Sequence, residues 1–479
     1  MTSETNTENA DNNKKKTFVE KFIWFFETYT PNSMVWAFLL TVIVIVLALI
    51  FTNAPLFFDS AEGQTSVMNS WTQGFWSLMT FAMQMSMIMI TGNIVAVAPP
   101  VQKLIRKVAV LPNNWFQAYA LVLISAWILI YFHWGIGMMV GIAMLRNVLL
   151  AAKEKGYPIH GPALVAATYC CTIPGIGISQ AAPLYGNTPG YLKSLAASDT
   201  ARDYLADVYP LTTTVLGWKH LVLIAIIFVM IFVAVCLLVP KNGSKMQGAT
   251  KGLLDDMAQV TSMYEQNPDR STFANWINNS RILSYIVGIF GAVWCVRLFA
   301  TQGIDGLTLN NFIFVTLMAG FLLCGTPERF TQAAIATTGA CWGIIVQFPL
   351  YAGIFGIIVY TGLSDVISNA FLTVSTSDTF LFVAYIYSSI LNLAVPSGGS
   401  KFVIEAPYLL DVAAKLNIDI PALLLSYTFG DLTTNAIQPF WCLPHVALCH
   451  VEFRKMLPYT LVFCIGTYIV CTFFFLVVF

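Results

Sequence analysis

The chain has 479 residues, 57% of them apolar and only 10% charged, whereas soluble proteins average roughly 45–50% apolar and about 25% charged. So few charges cannot cover the surface of a soluble chain this long, and a mean hydropathy of +0.72 agrees. The 24 Lys and Arg balance 24 Asp and Glu, which excludes the basic footprint of a nucleic-acid partner.

An all-α polytopic membrane protein is therefore expected. Residues 1–32 read as a polar tail followed by an interfacial helix around Phe22, Trp24, Phe25 and Phe26. The first strong apolar run, Val35 to Phe51, lies too deep and lacks the flanks of a cleavable signal peptide, so it reads as a membrane span. Nine segments meet the requirement of about 20 mainly apolar residues: 33–52, 75–97, 161–184, 212–240, 281–300, 308–324, 337–361, 420–445 and 456–478. Two more, 115–152 and 379–416, are apolar but broken, the first around His133-Trp134-Gly135-Ile136-Gly137 and the second from Asn392 through Pro396-Ser397-Gly398-Gly399-Ser400. Each flank is about 15 residues, or roughly 22 Å of helix, which predicts two re-entrant hairpins. The ten cysteines fall in no metal-type or disulfide-type spacing, so neither a metal nor a cofactor is expected.

With the N-terminus in the cytoplasm, only Lys193, Arg202, Lys219, Arg297, Lys401 and Lys415 fall outside; every other Lys and Arg lies inside. The hydrophilic stretch 241–280 then forms a cytoplasmic connector.

Anchors recur at a near-constant offset: Gln84 with Gln347, His133 with Asn392, Pro162-Ala163-Leu164 with Pro421-Ala422-Leu423, and Gln180 with Gln438. They predict two repeats, 33–240 and 308–479, separated by the connector and a linking span at 281–307. The parity of the spans inverts the second repeat. Inverted repeats with broken helices mark secondary transporters, whose site lies near the midplane.

Irregular backbone at membrane depth must be buried in protein or line an aqueous cavity. The two breaks are thus the first candidate site. Pro396 to Ser400 precede a helix start, where unpaired N–H groups favour an anion. The span 420–445 carries Asp431, Thr433, Thr434, Asn435 and Gln438; its counterpart 161–184 carries Ser179 and Gln180. Both read as helices interrupted mid-membrane. A carboxylate at the depth of Asp431 costs at least ~2.5 kcal/mol, so it needs a partner, water or an ion. Asp431 and His133 are the candidates for ion coupling, to a proton or to sodium. A lone His is more often a packed, hydrogen-bonded residue than a proton carrier, and Lys401 and Glu405 are spaced to pair with each other. Nucleophile-elbow, zinc-protease, Walker and dinucleotide-binding motifs are absent, so no enzyme is expected.

Gly74-Phe75-Trp76 with Met83-Gln84-Met85, Val346-Gln347-Phe348-Pro349, Ala394-Val395-Pro396-Ser397-Gly398-Gly399 and Gln438-Pro439-Phe440-Trp441 resemble the bacterial short-chain fatty acid transporter family of the AtoE type. One departure stands at His133, where relatives are expected to carry Asn. The resemblance implies a secondary transporter of monocarboxylates such as butyrate in the bacterial inner membrane. It implies Ser397–Ser400 and Thr433-Thr434-Asn435 as site residues. It also implies a homodimer that works by an elevator motion. A dicarboxylate carrier, a channel and a membrane-embedded enzyme are the alternatives.

Overall fold

Helices form wherever apolar runs are bounded by a cap or a breaker, and every secondary-structure element among the described residues is helical. The computed structural model describes residues 33–60, 64–77, 79–240, 243, 246–255, 270–338, 341–393, 395, 397–438 and 441–479. The interfacial helix expected before residue 33, much of the connector 241–280, and Pro396 lie outside these.

The first half of the chain runs through α1 (Ser33–Phe51), α2 (Val67–Ser77), α3 (Met79–Val97) and the amphipathic α4 (Pro99–Ala109). A hairpin follows, of α5 (Trp115–Phe132) and α6 (Trp134–Lys155). After it come α7 (Gly161–Cys170), the short helices α8 (Ala181–Gly186), α9 (Tyr191–Leu195) and α10 (Asp199–Tyr204), and then α11 (Trp218–Leu238). The short α12 (Phe273–Asn278) leads into α13 (Arg281–Gln302). The second half continues with α14 (Leu309–Cys324), α15 (Pro327–Thr338), α16 (Trp342–Tyr360) and α17 (Leu363–Val374). Its hairpin is α18 (Phe380–Asn392) and α19 (Gly398–Leu416), followed by α20 (Ile420–Asn435), α21 (Leu443–Cys449) and α22 (Phe453–Phe473).

Among the described residues six helices are long and apolar enough to cross a membrane: Val67–Val97, Trp115–Phe132, Trp134–Lys155, Trp218–Leu238, Phe273–Gln302 and Phe453–Val478. A seventh is possible only if the pair Ile345–Tyr360 and Leu363–Val374, bent by 79°, counts as one span. The segments read as spans 161–184 and 420–445 contain helices of only 10 and 16 residues before the chain turns. Conversely, the arms of the first hairpin have 18 and 22 residues, longer than the flanks read from sequence. The break costs a single residue there, because His133 ends one helix and caps the next.

Burial divides the molecule. On α20 every residue but Leu432 is buried, and on α19 the stretch Gly399–Ala413 is buried without interruption. By contrast, α13 exposes Ile286, Val293 and Phe290, the last to 82%. Apolar side chains left exposed on this scale suit lipid, not water.

Candidate functional site

The site grows from two hairpin tips, each seated on the interrupted helix that follows it. In the first, His133 adopts an extended conformation and its Nδ1 accepts hydrogen bonds from the N–H groups of Gly135 (3.2 Å) and Ile136 (3.3 Å). It is an N-cap, which satisfies donors that a helix start otherwise leaves unpaired. The cap uses Nδ1 as an acceptor, so a proton there would oppose the same two N–H groups. The ring packs on Phe312 at 5.0 Å, and Nε2 is buried with no hydrogen-bond partner among the described residues.

The turns after α7 hold this tip. Trp134 N–H donates to Ser179 Oγ (2.8 Å), Ile178 N–H to the Tyr131 carbonyl (2.9 Å) and Trp127 Nε1–H to the Pro174 carbonyl (2.7 Å). Gly137 lies against the backbone of Ile130, which lets the two arms close together. Gln180 precedes α8 and is half-buried.

The second tip is held by side chains. Asn392 Nδ2 donates to Thr434 Oγ1 (2.9 Å) and to Asn435 Oδ1 (2.8 Å). Gln438 Nε2 donates to Asn435 Oδ1 (2.7 Å) and to the Asn392 carbonyl (3.3 Å). Thr434 Oγ1 donates to the Ser389 carbonyl, and Tyr385 OH reaches Thr433 Oγ1 at 3.2 Å. From the other half of the chain, Tyr169 OH donates to the Asn435 carbonyl at 2.8 Å, and the Trp134 and Trp441 rings meet edge-on at 5.9 Å. The amide donors of Asn392 and Gln438, natural anion binders by composition, are therefore committed to this network. Two buried polar atoms at the tip keep no hydrogen-bond partner among the described residues: Asn392 Oδ1 and Ser400 Oγ. The first N–H groups of α19, from Gly398 and Gly399, have no acceptor one turn earlier in their own helix. Half-buried Ser397 is the residue before that helix.

Beside this tip lies a buried charge cluster that sequence reading resolved only in part. Lys401 Nζ stands 3.3 Å from Glu405 Oε1, the pair expected from their spacing, and 3.4 Å from Asp431 Oδ1. It also donates to the Ser388 carbonyl and hydroxyl and lies 4.3 Å from the centre of the Tyr427 ring. A Cβ built on Gly398 would sit 2.7 Å from Asp431 Oδ2, so this carboxylate faces the first turn of α19. Asp431 thus has a structural partner in Lys401. Sequence spacing could not find the third member, since 30 residues separate it from the lysine.

A cavity of about 780 Å³, lined by no residue of either tip, lies between α2, α3 and α16 on one side and α9 and α10 on the other. Lys193, Arg202, Tyr191, Gln84 and Asn310 line it, the last two joined by a 2.6 Å hydrogen bond. Among the described residues no cluster of His, Cys, Asp or Glu could hold a metal ion.

Comparison with known proteins gives the class of this chain. The family model described as "Short chain fatty acid transporter" matches residues 16–479. A protein of Escherichia coli K12 named "Putative short-chain fatty acid transporter" is 30% identical over 438 residues, 91% of this chain and 93% of that one. One of the same name from Haemophilus influenzae is 28% identical over 455 residues, 93% of this chain and 97% of its own. The crystal structure of the Alcanivorax borkumensis YdaH transporter shares the fold, with a TM-score of 0.54 at 15% identity over 95% of this chain and 98% of that one. With a family model spanning nearly its whole length, this chain is a multi-pass membrane protein that belongs to the short-chain fatty acid transporter family.

Proposed function

We propose that this chain is a cation-coupled secondary transporter of short-chain monocarboxylates, butyrate or acetoacetate in kind, across the bacterial cytoplasmic membrane. The observation that carries the reading is the second hairpin tip, where Ser400 Oγ is buried unpaired beside the start of α19. A hydroxyl and helix N–H groups offer partners for one carboxylate. No Arg lies in either tip or in the interrupted segments 161–184 and 420–445 to grip a second carboxylate bidentately, and Lys401 is occupied by two carboxylates of its own. Trp134 and Trp441 supply an apolar wall near the breaks.

Two inverted repeats belong to this reading. The series of span, amphipathic helix, hairpin, interrupted helix and final span occurs as α3, α4, α5–α6, α7 and α11, and again as α16, α17, α18–α19, α20 and α22. The N-terminus is assigned to the cytoplasm from the basic residues. The exposed apolar face of α13 suits the bilayer or a second copy in a homodimer, with the hairpins moving as an elevator against it. An anion entering against an inside-negative potential is opposed by about 2.3 kcal/mol per 100 mV, so uptake needs a co-transported cation, a proton or sodium.

The test is counterflow in proteoliposomes with labelled butyrate and unlabelled competitors, corrected for protein-free vesicles because the neutral acid crosses lipid unaided. Butyrate is expected to compete at least tenfold better than succinate, and Asn435→Ala to weaken both affinity and flux. Equal competition by succinate overturns the monocarboxylate assignment in favour of a dicarboxylate carrier.

A further inference from the structure

Lys401, Glu405 and Asp431 place two carboxylates around one ammonium, and their exposures are 0%, 0% and 4%. The cluster carries one excess negative charge when all three are ionised. Its hydrogen bonding is equally short: Lys401 gives bonds to the carbonyl and hydroxyl of Ser388, which leaves one N–H for two carboxylates. Both oxygens of Glu405 and Oδ1 of Asp431 are buried without a hydrogen-bond partner among the described residues. The other titratable groups that feel this charge are the phenols of Tyr387, Tyr408, Tyr427 and, through Tyr427, Tyr185. Phenols are neutral at working pH and bring no compensating charge. A buried, uncompensated carboxylate is strongly unfavourable, so the cluster must take up a positive charge.

We propose that this cluster is a proton site: Glu405 and Asp431 share one proton beside Lys401, and that proton is the cation that accompanies the substrate. The proposal rests on the reading of the chain as an anion transporter and decides between its two coupling ions. Sodium does not fit, because the ammonium already occupies the point between the carboxylate oxygens and would repel a second metal-like cation there. The bound proton belongs to the pair, not to either residue.

The coupling follows from position. Asp431 faces the first turn of α19, the place a substrate carboxylate would use. Two anions at one helix start repel each other, so a protonated cluster admits the substrate and an ionised one disfavours it. By linkage, the substrate raises the affinity for the proton by the same factor.

The experiment compares the natural chain with Glu405→Gln, a neutral isostere of the protonated acid. In proteoliposomes, a proton gradient drives butyrate accumulation by the natural chain and a sodium gradient does not. Its apparent KM rises by up to about tenfold per pH unit once the shared proton is lost, as one linked proton requires. Glu405→Gln loses at least tenfold in accumulation and its KM changes less than about twofold from pH 6 to 8, while butyrate exchange stays measurable. Glu405→Asp, which keeps a carboxylate, retains the pH dependence. Sodium-driven accumulation, or an unaltered pH profile in Glu405→Gln, overturns the proposal.

A failure of the natural chain to exchange butyrate defeats the substrate reading alone. The proton site is then read from stability. Because the folded cluster binds a proton that the unfolded chain gives up, Tm of the natural chain falls as pH rises from 5 to 8, and that of Glu405→Gln falls less. Parallel Tm profiles overturn it.

Discussion

The two hairpin tips are built on one plan and finished differently. At the first, a single residue separates the helices, His133 and Ser179 pair with the main-chain N–H groups that the break exposes, and the Tyr131 carbonyl accepts from Ile178 N–H. At the second, five residues separate the helices, the amides of Asn392 and Gln438 knit the tip to the end of α20, and a lysine with two carboxylates lies buried beside it. The first tip is closed by hydrogen bonds that leave His133 Nε2 as its one buried polar side-chain atom without a partner among the described residues. The second keeps Ser400 Oγ, Asn392 Oδ1 and the carboxylates unsatisfied. Unsatisfied buried polar groups are costly, so the tip that gathers more of them is the one expected to meet a ligand.

The sharpest way to break the comparison is to ask whether the hairpins enter from opposite faces. Single cysteines at exposed Asn113, at the base of the first hairpin, and Thr376, at the base of the second, should differ all or none. An impermeant thiol reagent added outside should label Thr376→Cys and leave Asn113→Cys at the background of the natural chain. Labelling of both from one side removes the inversion.

A second contrast uses one methyl group at each tip. Gly398→Ala puts a Cβ 2.7 Å from Asp431 Oδ2 and should lower butyrate accumulation at least tenfold. Gly135→Ala meets the His133 ring edge at 3.3 Å, where a small rotation relieves it, and should keep transport within about threefold. Misplacement of a binding group by about 1 Å costs up to about 100-fold, which sets the scale. Equal losses at the two positions would erase the functional difference between the tips.

The smallest effects are in stability. Asn392→Ala removes two hydrogen bonds, the donor to Thr434 Oγ1 and one of the two donors to Asn435 Oδ1, and should cost about 1–3 kcal/mol. His133→Ala loses the cap, about 0.5–2 kcal/mol, together with the ring's packing on Phe312, and His133→Asn should restore the cap without loss of transport. Thermal unfolding of the purified protein reads both. A His133→Asn variant that folds fully and fails to transport would give the first tip a role beyond capping.

Much of the candidate site was legible before any tertiary contact was known. Gly and Pro within long apolar runs located both breaks, and the polar run from Asp431 to Gln438 marked the interrupted helix. Lys401 and Glu405 were legible as a pair because four residues on a helix share a face. Their third partner was not, and neither was the commitment of the Asn392 amide to Thr434 and Asn435, more than 40 residues away. His133 read as a packed, hydrogen-bonded residue more readily than as a proton carrier, but its cap was not legible, since composition does not say which nitrogen faces an N–H group.

The sequence by itself determined the solvent, the helical class and the positions of the breaks. Those depend on hydropathy and backbone chemistry summed over one or two turns, and no packing can reverse 57% apolar content. The tertiary structure decided which polar atoms are satisfied. Tyr169 reaches the Asn435 carbonyl across 266 residues, and Asp431 reaches Lys401 from a different helix. Such pairings follow from which helix faces meet and at what depth. Local sequence carries no record of that distance, so the difference between a closed tip and an open one emerges only when the helices are packed.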